Sequence, residues 1–351
     1  MKILLTHELF PPDFAGGGEY LVLEMARGLV RTGVQVHVLT TGDPSITQYE
    51  GIPTTRLPIS RYQLNLAVRR TALMARDVDI IQTCFYHACL PSLVAGKLLN
   101  KPVVCLVTGL FRDLWKLMRP PLIGGAWSAW EGFLLRRKFS RLMFLSDFSR
   151  HMALGLGIPA ARTIVNCPGI DVEAYAPSPA KENIVFFTGK LNVRKGIYDL
   201  LAVARELPHV PFRVMGWGQE LEQIKSISPG NIEFRKFERG RPLREAFASA
   251  RIFFFPTRGE TFGFALLEAM ASGCAIVSSL PLEFEGIRVP AGDRAAMVRA
   301  LKTLWDDHGQ TASMGMHNVE LAREYTWSNF ISVLVKTYSE IMDGARVADG
   351  H

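Results

Sequence analysis

Residues 251–279, RIFFFPTRGETFGFALLEAMASGCAIVSS, decide how this chain folds. An apolar run, Ile252 to Phe255, has strand character and stops at Pro256. A short loop then carries Glu260, and after Gly263 the spacing becomes that of a helix holding Glu268, before a second apolar run at 275–279. Strand, loop, helix and strand in one short stretch form a parallel-sheet unit. Its junction also has chemistry. A carboxylate accepts strong charge-assisted hydrogen bonds from sugar hydroxyls, and the unpaired amides that open a helix carry partial positive charge suited to phosphate.

The same alternation extends outward on both sides. KILLT (2–6), VQVHVLT (34–40), DIIQTC (79–84), PVVCLV (102–107) and RLMFLS (141–146) read as strands of a first series. The glycines at 16–18 and Glu19 open an amphipathic helix with Leu21, Met25, Leu29 and Val30 on one face, and Gly33 closes it. TIVNCPGIDVEAY (163–175) reads as the link to a second series: NIVFFTG (183–189), FRVMG (212–216), NIEFRKF (231–237), RIFFF and AIVSS. A last helix is expected from Trp327 to Met342, with the final eight or so residues as a loose tail.

At 351 residues the chain exceeds what one core usually supports, so two domains are expected. With 48% hydrophobic and 21% charged residues its composition is globular. The cysteines at 84, 89, 105, 167 and 274 show no metal-ligand spacing and read as small core residues in a reducing compartment. The apolar run after Lys2 is too short for a secretory signal, and no uncharged apolar run is long enough to span a bilayer. A cytoplasmic protein is the expectation. Its charge is uneven: residues 1–170 hold 19 Lys+Arg against 11 Asp+Glu, and residues 171–351 hold 21 against 22. The net +7 therefore resides in the first half, where an anionic partner should be sought.

The wording of the central stretch, E-x-F-G-F-x-L-L-E-A-M-A-x-G-x-x-I-V, resembles the retaining glycosyltransferases of family four, which have the GT-B fold. The resemblance covers nearly the whole chain. It implies an α/β protein of two Rossmann-like domains facing across a cleft: an acceptor-binding domain at 1–168, a nucleotide-sugar domain at 169–326, and a helix at 327–345 returning to the first. It implies that Glu260 contacts the donor sugar, that Glu268 binds the ribose hydroxyls, and that the amides of Phe262, Gly263, Phe264 and Ala265 face the diphosphate. FPPDFAGGGEY (10–20) resembles the family's glycine loop, which places Gly16 and Gly17 over that diphosphate from the opposite domain. TGKLNVRKG (188–196) resembles G-R-L-x-x-x-K-G, with Gly189 and Lys195 in register and Lys190 in the place of the usual arginine. Charge is kept there while fork geometry is lost. Arg194 is an additional cation, expected to face solvent. Fixed positive charges suit a leaving diphosphate because they stabilise the charge that develops as the glycosidic bond breaks.

MGWGQEL (215–221) is strand, G-x-G and helix, but Leu221 stands where a dinucleotide site needs its third glycine. The resemblance assigns Gly216 and Gly218 to the nucleotide pocket, and Phe237 with Lys236 to the flank of the base. The family also has a histidine after the strand that matches PVVCLV; here Thr108 and Gly109 occupy the place. His87, in the loop before it, is a candidate substitute on the acceptor and sugar side, but a lone surface histidine is the favoured reading. The family's G-G-x-x-E after Ser279 is absent, leaving Glu283 and Glu285 both open as replacements. Asp77-Val78-Asp79 matches the D-x-D of metal-dependent enzymes but precedes a first-series strand, so it reads as a strand start and no metal or cofactor is expected.

Residues 111–141 hold seven Lys+Arg against two acidic residues, interleaved with Trp115, Trp127 and Trp130 and ending in Arg136, Arg137 and Lys138. Tryptophan favours interfaces wet on one side, and each cation near an anionic headgroup adds about 1 kcal/mol. A peripheral face toward the inner side of the cell membrane follows, set against an ordinary helix with its stripe in the core. No nucleic-acid-binding module is recognisable. The expectation is a metal-independent, retaining transfer of a hexose from a nucleotide-sugar to a lipid-linked or glycan acceptor. Two alternatives stay open: a non-catalytic subunit of a glycan assembly complex, and a GT-B epimerase or hydrolase.

Overall fold

The computed structural model describes residues 1–14 and 16–349, with side chains through residue 344. The chain forms two compact units. The first comprises Met1–Arg112, Trp127–Gly169 and the chain from Thr326 onward; the second comprises Asp113–Ala126 and Ile170–Tyr325.

The first unit is built on eight strands: β1 (Lys2–Thr6), β2 (Gln35–Thr41), β3 (Gln48–Tyr49), β4 (Ile52–Leu57), β5 (Ile80–Cys84), β6 (Val103–Val107), β7 (Arg141–Phe144) and β8 (Thr163–Val165). Their order is β3-β4-β2-β1-β5-β6-β7-β8, parallel throughout except for the short β3 against β4. β1 lies at the centre, with Leu5 opposite Val38 on one side and Gln82 on the other. The strand order reverses between β1 and β5, so the loops leaving those two strands diverge at a topological switch point, where α/β sheets commonly bind ligands. β5 and β6 are buried on both faces, which explains the unbroken apolar run of β6; β5 also buries Gln82 and Thr83.

The C-terminal helix, Trp327–Asp349, belongs to this unit. It packs on the helix Gly17–Arg31, where Gly28 leaves room for Ile331: a Cβ at Gly28 would stand 2.3 Å from Ile331 Cγ1. Tyr338, fully buried, donates its hydroxyl to Gln82 Oε1 at 2.7 Å, so the helix is tied into the sheet itself. The helix runs past the tail expected after residue 343; Ala345, Arg346 and Ala348 are good helix formers and no proline interrupts them. Residues 163–165, expected as linker, form the edge strand β8, because Thr-Ile-Val is β-branched throughout.

The second unit carries six parallel strands: β9 (Glu182–Lys190), β10 (Phe212–Trp217), β11 (Ile232–Lys236), β12 (Ala250–Phe255), β13 (Ala275–Ser278) and β14 (Gly286–Arg288). The order β11-β10-β9-β12-β13-β14 places its switch point between β9 and β12. All six β12 residues are buried, and Phe186, Phe247, Phe253 and Phe255 form the aromatic core around it. β11 is one of the two edge strands and is accordingly charged and exposed.

Candidate active site

The loops leaving β9 and β12 at the switch point of the second unit are residues 191–196 and 256–263, and they interlock. Asn192 accepts a hydrogen bond from the Lys195 amide at 3.0 Å, which closes a single helical turn ending at Gly196. Gly196 has φ +76° and lies flat against the end of β12: a Cβ there would be 1.9 Å from the Pro256 carbonyl oxygen. Only glycine allows that approach. The Arg194 carbonyl oxygen accepts from the Arg258 amide at 2.7 Å and from Thr257 Oγ1 at 3.1 Å.

This interlock brings three charges together. Glu260 Oε1 lies 2.5 Å from Lys195 Nζ and 2.6 Å from Arg194 Nη1, and the same Arg194 nitrogen donates to the Gly259 carbonyl at 2.8 Å. The side chains are 13%, 15% and 17% exposed for Glu260, Lys195 and Arg194. Arg194 therefore does not face solvent as expected; its neighbour carbonyl anchors turn it inward onto the carboxylate. Burial alone would raise the Glu260 pKa, but Lys195 and Arg194 outweigh it and hold the carboxyl below its ordinary value. Burial and, to a smaller extent, Arg194 push the Lys195 ammonium down, with Glu260 opposing them. Lys190, at the end of β9, is exposed and makes no ion pair with another described residue. A second brace stands behind the loop. Asp199, 1% exposed, accepts from Arg258 Nη2 at 2.8 Å and Arg294 Nε at 2.9 Å. Leu114 of the segment 113–126 packs on Gly259, where a Cβ would meet its Cδ1 at 2.1 Å.

Gly263, at φ +86°, ends this loop and starts the helix Phe264–Ala271. The Leu266 amide donates to the Gly263 carbonyl at 2.8 Å in the first turn of that helix, and a Cβ at Gly263 would stand 3.9 Å from Glu260 Cγ, so the helix start lies against the Glu260 side chain. Phe262 is buried and meets the half-buried Phe264 edge-on at 5.5 Å. Glu268, half-buried one turn into the helix, accepts from the Tyr175 hydroxyl at 2.7 Å. Burial raises its pKa, with Tyr175 and Arg239 opposing. Tyr175 stands 93 residues away in sequence, and nothing in the spacing pointed to it.

Gly189 and Gly216 face each other in register across β9 and β10. A Cβ at Gly216 would stand 2.5 Å from Leu191 Cδ2 and 2.7 Å from the Gly189 carbonyl oxygen, so the pair keeps the strand ends close. Gly218 follows at φ +158°, with the Leu191 carbonyl oxygen 2.9 Å from where its Cβ would be. Trp217 and Phe237 meet with ring centroids 4.1 Å apart and planes tilted by 38°, an aromatic pair at the same end of the sheet.

In the first unit, Gly16 and Gly17 open the helix Gly17–Arg31, and Glu19 accepts from the Gly16 amide at 2.8 Å. That glutamate is a helix cap. Arg56, buried in β4, donates to the Phe10 carbonyl at 3.0 Å and to that of Pro11, fixing the glycine loop from beneath. Thr108 is half-buried after β6. His87 is not a surface histidine: it is 7% exposed, bonded through Nδ1 to Asn65 Nδ2 at 2.8 Å, and met edge-on by Tyr62 and Trp127. Burial lowers its pKa and favours the neutral ring. Glu131, fully buried, accepts from Tyr86 Oη at 2.7 Å and from the Phe111 and Arg112 amides at 3.1 and 2.7 Å, holding the loop after β6. Asp79 accepts from the Lys2 amide at 2.7 Å, a strand-start role. Among the described residues no cluster of His, Cys, Asp or Glu could hold a metal ion.

The basic, tryptophan-rich stretch is divided between the units: Trp115 lies in the second, and Trp127, Trp130, Arg136, Arg137 and Lys138 in the first. All three tryptophans are half-buried, Trp127 turned inward onto His87 and Tyr86. The exposed apolar side chains are instead Leu117, Leu122 and Ile123 in the second unit and Phe133 in the first, where the Arg137 guanidinium lies 4.1 Å over the Phe133 ring. No helix among the described residues is long and apolar enough to cross a membrane.

Two parallel-sheet units of this kind are the GT-B architecture of glycosyltransferases. Sucrose-phosphate synthase from Thermosynechococcus elongatus superposes with a TM-score of 0.83 at 18% identity, covering 98% of this chain and 99% of that one. HepE from Anabaena in complex with UDP-glucose gives 0.79 at 19% identity over 97% and 100%. In sequence, the phosphatidyl-myo-inositol mannosyltransferase of Mycobacterium leprae is 27% identical, covering 94% of each chain. Family models match in two parts, Glycosyltransferase Family 4 over residues 15–174 and Glycosyl transferases group 1 over residues 182–307. The chain belongs to this glycosyltransferase family and is an enzyme of that class.

Proposed function

We propose that the protein moves a hexose from a nucleoside diphosphate sugar to a lipid-linked or glycan acceptor, with retention at the anomeric carbon and no resident metal. The observation that carries this reading is the convergence of Lys195, Arg194 and Glu260 in the loops that lead into the helix Phe264–Ala271, with Glu268 further along it. Fixed cations and helix amides suit the diphosphate. Glu260 is placed to orient the sugar and Glu268 to accept from the ribose hydroxyls, while Trp217 and Phe237 offer a face to the base. Lys190, exposed at the strand end, adds charge for the same phosphates. As the bond from the anomeric carbon to the diphosphate breaks, the leaving oxygens gain charge that these groups stabilise. The acceptor hydroxyl attacks from the same face and gives its proton to the leaving phosphate oxygen. The mannosyltransferase relative, whose name specifies a phosphatidyl-inositol acceptor, supports a lipid-linked acceptor, as do the basic residues 136–138.

The test is thermal shift with UDP, GDP and ADP, repeated for the best of them with Glu268→Ala. One nucleotide should stabilise the protein and lose its effect in the variant; no stabilisation by any of the three refutes the donor site and favours a non-catalytic subunit. Flotation on anionic liposomes should fall when Arg136, Arg137 and Lys138 become Glu, and salt-insensitive binding counts against the membrane face.

A further inference from the structure

Glu260 takes both cations on one oxygen. Lys195 Nζ and Arg194 Nη1 meet at Oε1, within 2.5 and 2.6 Å. The same two cations are those that a diphosphate beside the helix Phe264–Ala271 would claim. Both anions cannot hold them fully. We propose that Glu260 is the built-in counter-anion of the diphosphate site: it holds Lys195 and Arg194 while the site is empty, yields them to the donor, and retakes them after transfer, which speeds release of the nucleoside diphosphate. This rests on the donor-site reading above.

Three features support the exchange. Two cations against one carboxylate leave a net charge of +1, so the three groups together still attract an anion. A diphosphate carries more charge and more acceptor oxygens than a carboxylate, so it prevails on arrival. The moving parts are also only side-chain ends. The Arg194 backbone is fixed by the Arg258 amide and Thr257 hydroxyl, and Lys195 Nζ lies 5.0 Å from the centroid of the Phe255 ring, a face that favours a cation throughout. No covalent bond changes in this step; one set of ion pairs replaces another. After transfer the product keeps the charge that bound the donor, and without a competing anion the cations would retain it. Glu260, freed from the departed sugar, is that competitor.

The experiment is calorimetric titration of the full chain with UDP, GDP and ADP, comparing the wild type, Glu260→Gln and Glu268→Ala. For the nucleotide that binds, Glu260→Gln should bind about tenfold more tightly, ~1.4 kcal/mol, and release it more slowly in stopped-flow displacement, while turnover falls. The parent nucleoside, lacking phosphate, should bind both forms alike. Equal or weaker binding of the diphosphate by Glu260→Gln overturns the inference but leaves the donor site standing, provided that the wild type binds and Glu268→Ala does not. An equal gain for the nucleoside overturns it too. No binding of any nucleotide to the wild type removes the donor site and this inference together. Should Glu260→Gln fail to fold, Glu260→Asp, whose shorter arm withdraws the carboxylate from both cations, must show a gain in the same direction.

Discussion

Replacing Gly196 with alanine tests the interlock of the two loops directly. The residue sits at φ +76°, where an L side chain costs ~1–2 kcal/mol. The new Cβ would also begin 1.9 Å from the Pro256 carbonyl oxygen, where even 3.0 Å forces a shift. The loops leaving β9 and β12 must then part by on the order of 1 Å, because the atoms in the way are the Pro256 backbone rather than a movable side-chain end. Strain of this kind totals about 3 kcal/mol, and the melting temperature should fall by about 5 °C or more. The larger effect falls on chemistry. Lys195 precedes Gly196 and Glu260 follows Pro256 by four residues, so the displacement enters the cation–carboxylate geometry, and a 1 Å misplacement costs ~100-fold in rate. Thermal melts and kcat/KM with the donor identified by nucleotide binding measure both. A G196A enzyme that melts and turns over like the wild type would refute the argument that close approach at this glycine sets the site.

Asp199→Asn should loosen the loop from behind; allowing for the partial exposure of both arginines, the loss is about 2 kcal/mol, read by thermal melting with turnover falling in parallel. Tyr338→Phe removes the hydroxyl bound to Gln82 and leaves a buried amide oxygen unsatisfied, so it should cost ~1–2 kcal/mol in urea unfolding without touching nucleotide binding. For pH, the two glutamates act in opposite senses. The Glu260 carboxyl is held below its ordinary 4.5, so its contribution is complete above that pH and is lost as pH falls toward the folded value. Glu260→Gln should flatten the acid limb of a plot of melting temperature against pH. The Glu268 carboxyl is raised by burial, so stability is lost as pH rises through its folded value, and Glu268→Gln should melt higher than the wild type at neutral pH.

The strands of both sheets were legible because most are buried on two faces and read as unbroken apolar runs, as at Ile252 to Phe255 and Val103 to Val107. β4 escaped notice: its Pro53 and two threonines belong to a strand near the sheet edge, where the pattern carries little signal. Glu260, Glu268 and Lys195 stood out by their motif. Tyr175 did not, since it reaches Glu268 from a distant segment, and the inward turn of Arg194 was hidden because a cation in a loop looks the same whether it faces water or a carboxylate. The burial of His87 was hidden for the same reason, since its cover comes from Asn65, Tyr62 and Trp127 on other elements.

The path of the chain bears on how the molecule is made. It leaves the first unit after Arg112, returns at Trp127, leaves again after Gly169 and comes back at Thr326. Synthesis proceeds from the amino end, and domains generally fold as units while the chain emerges. Here the first unit cannot be finished in that order. Its sheet is complete by β8, but Tyr338, which reaches Gln82 across 256 residues, is made only after the whole of the second unit. The surface of the helix Gly17–Arg31 that receives Ile331 thus stays uncovered until the entire second unit has been synthesised. A truncation just before Trp327 should therefore leave an apolar face for chaperones to hold, and a nascent chain stalled there should be protease-sensitive in its amino-terminal half while its second unit is already resistant.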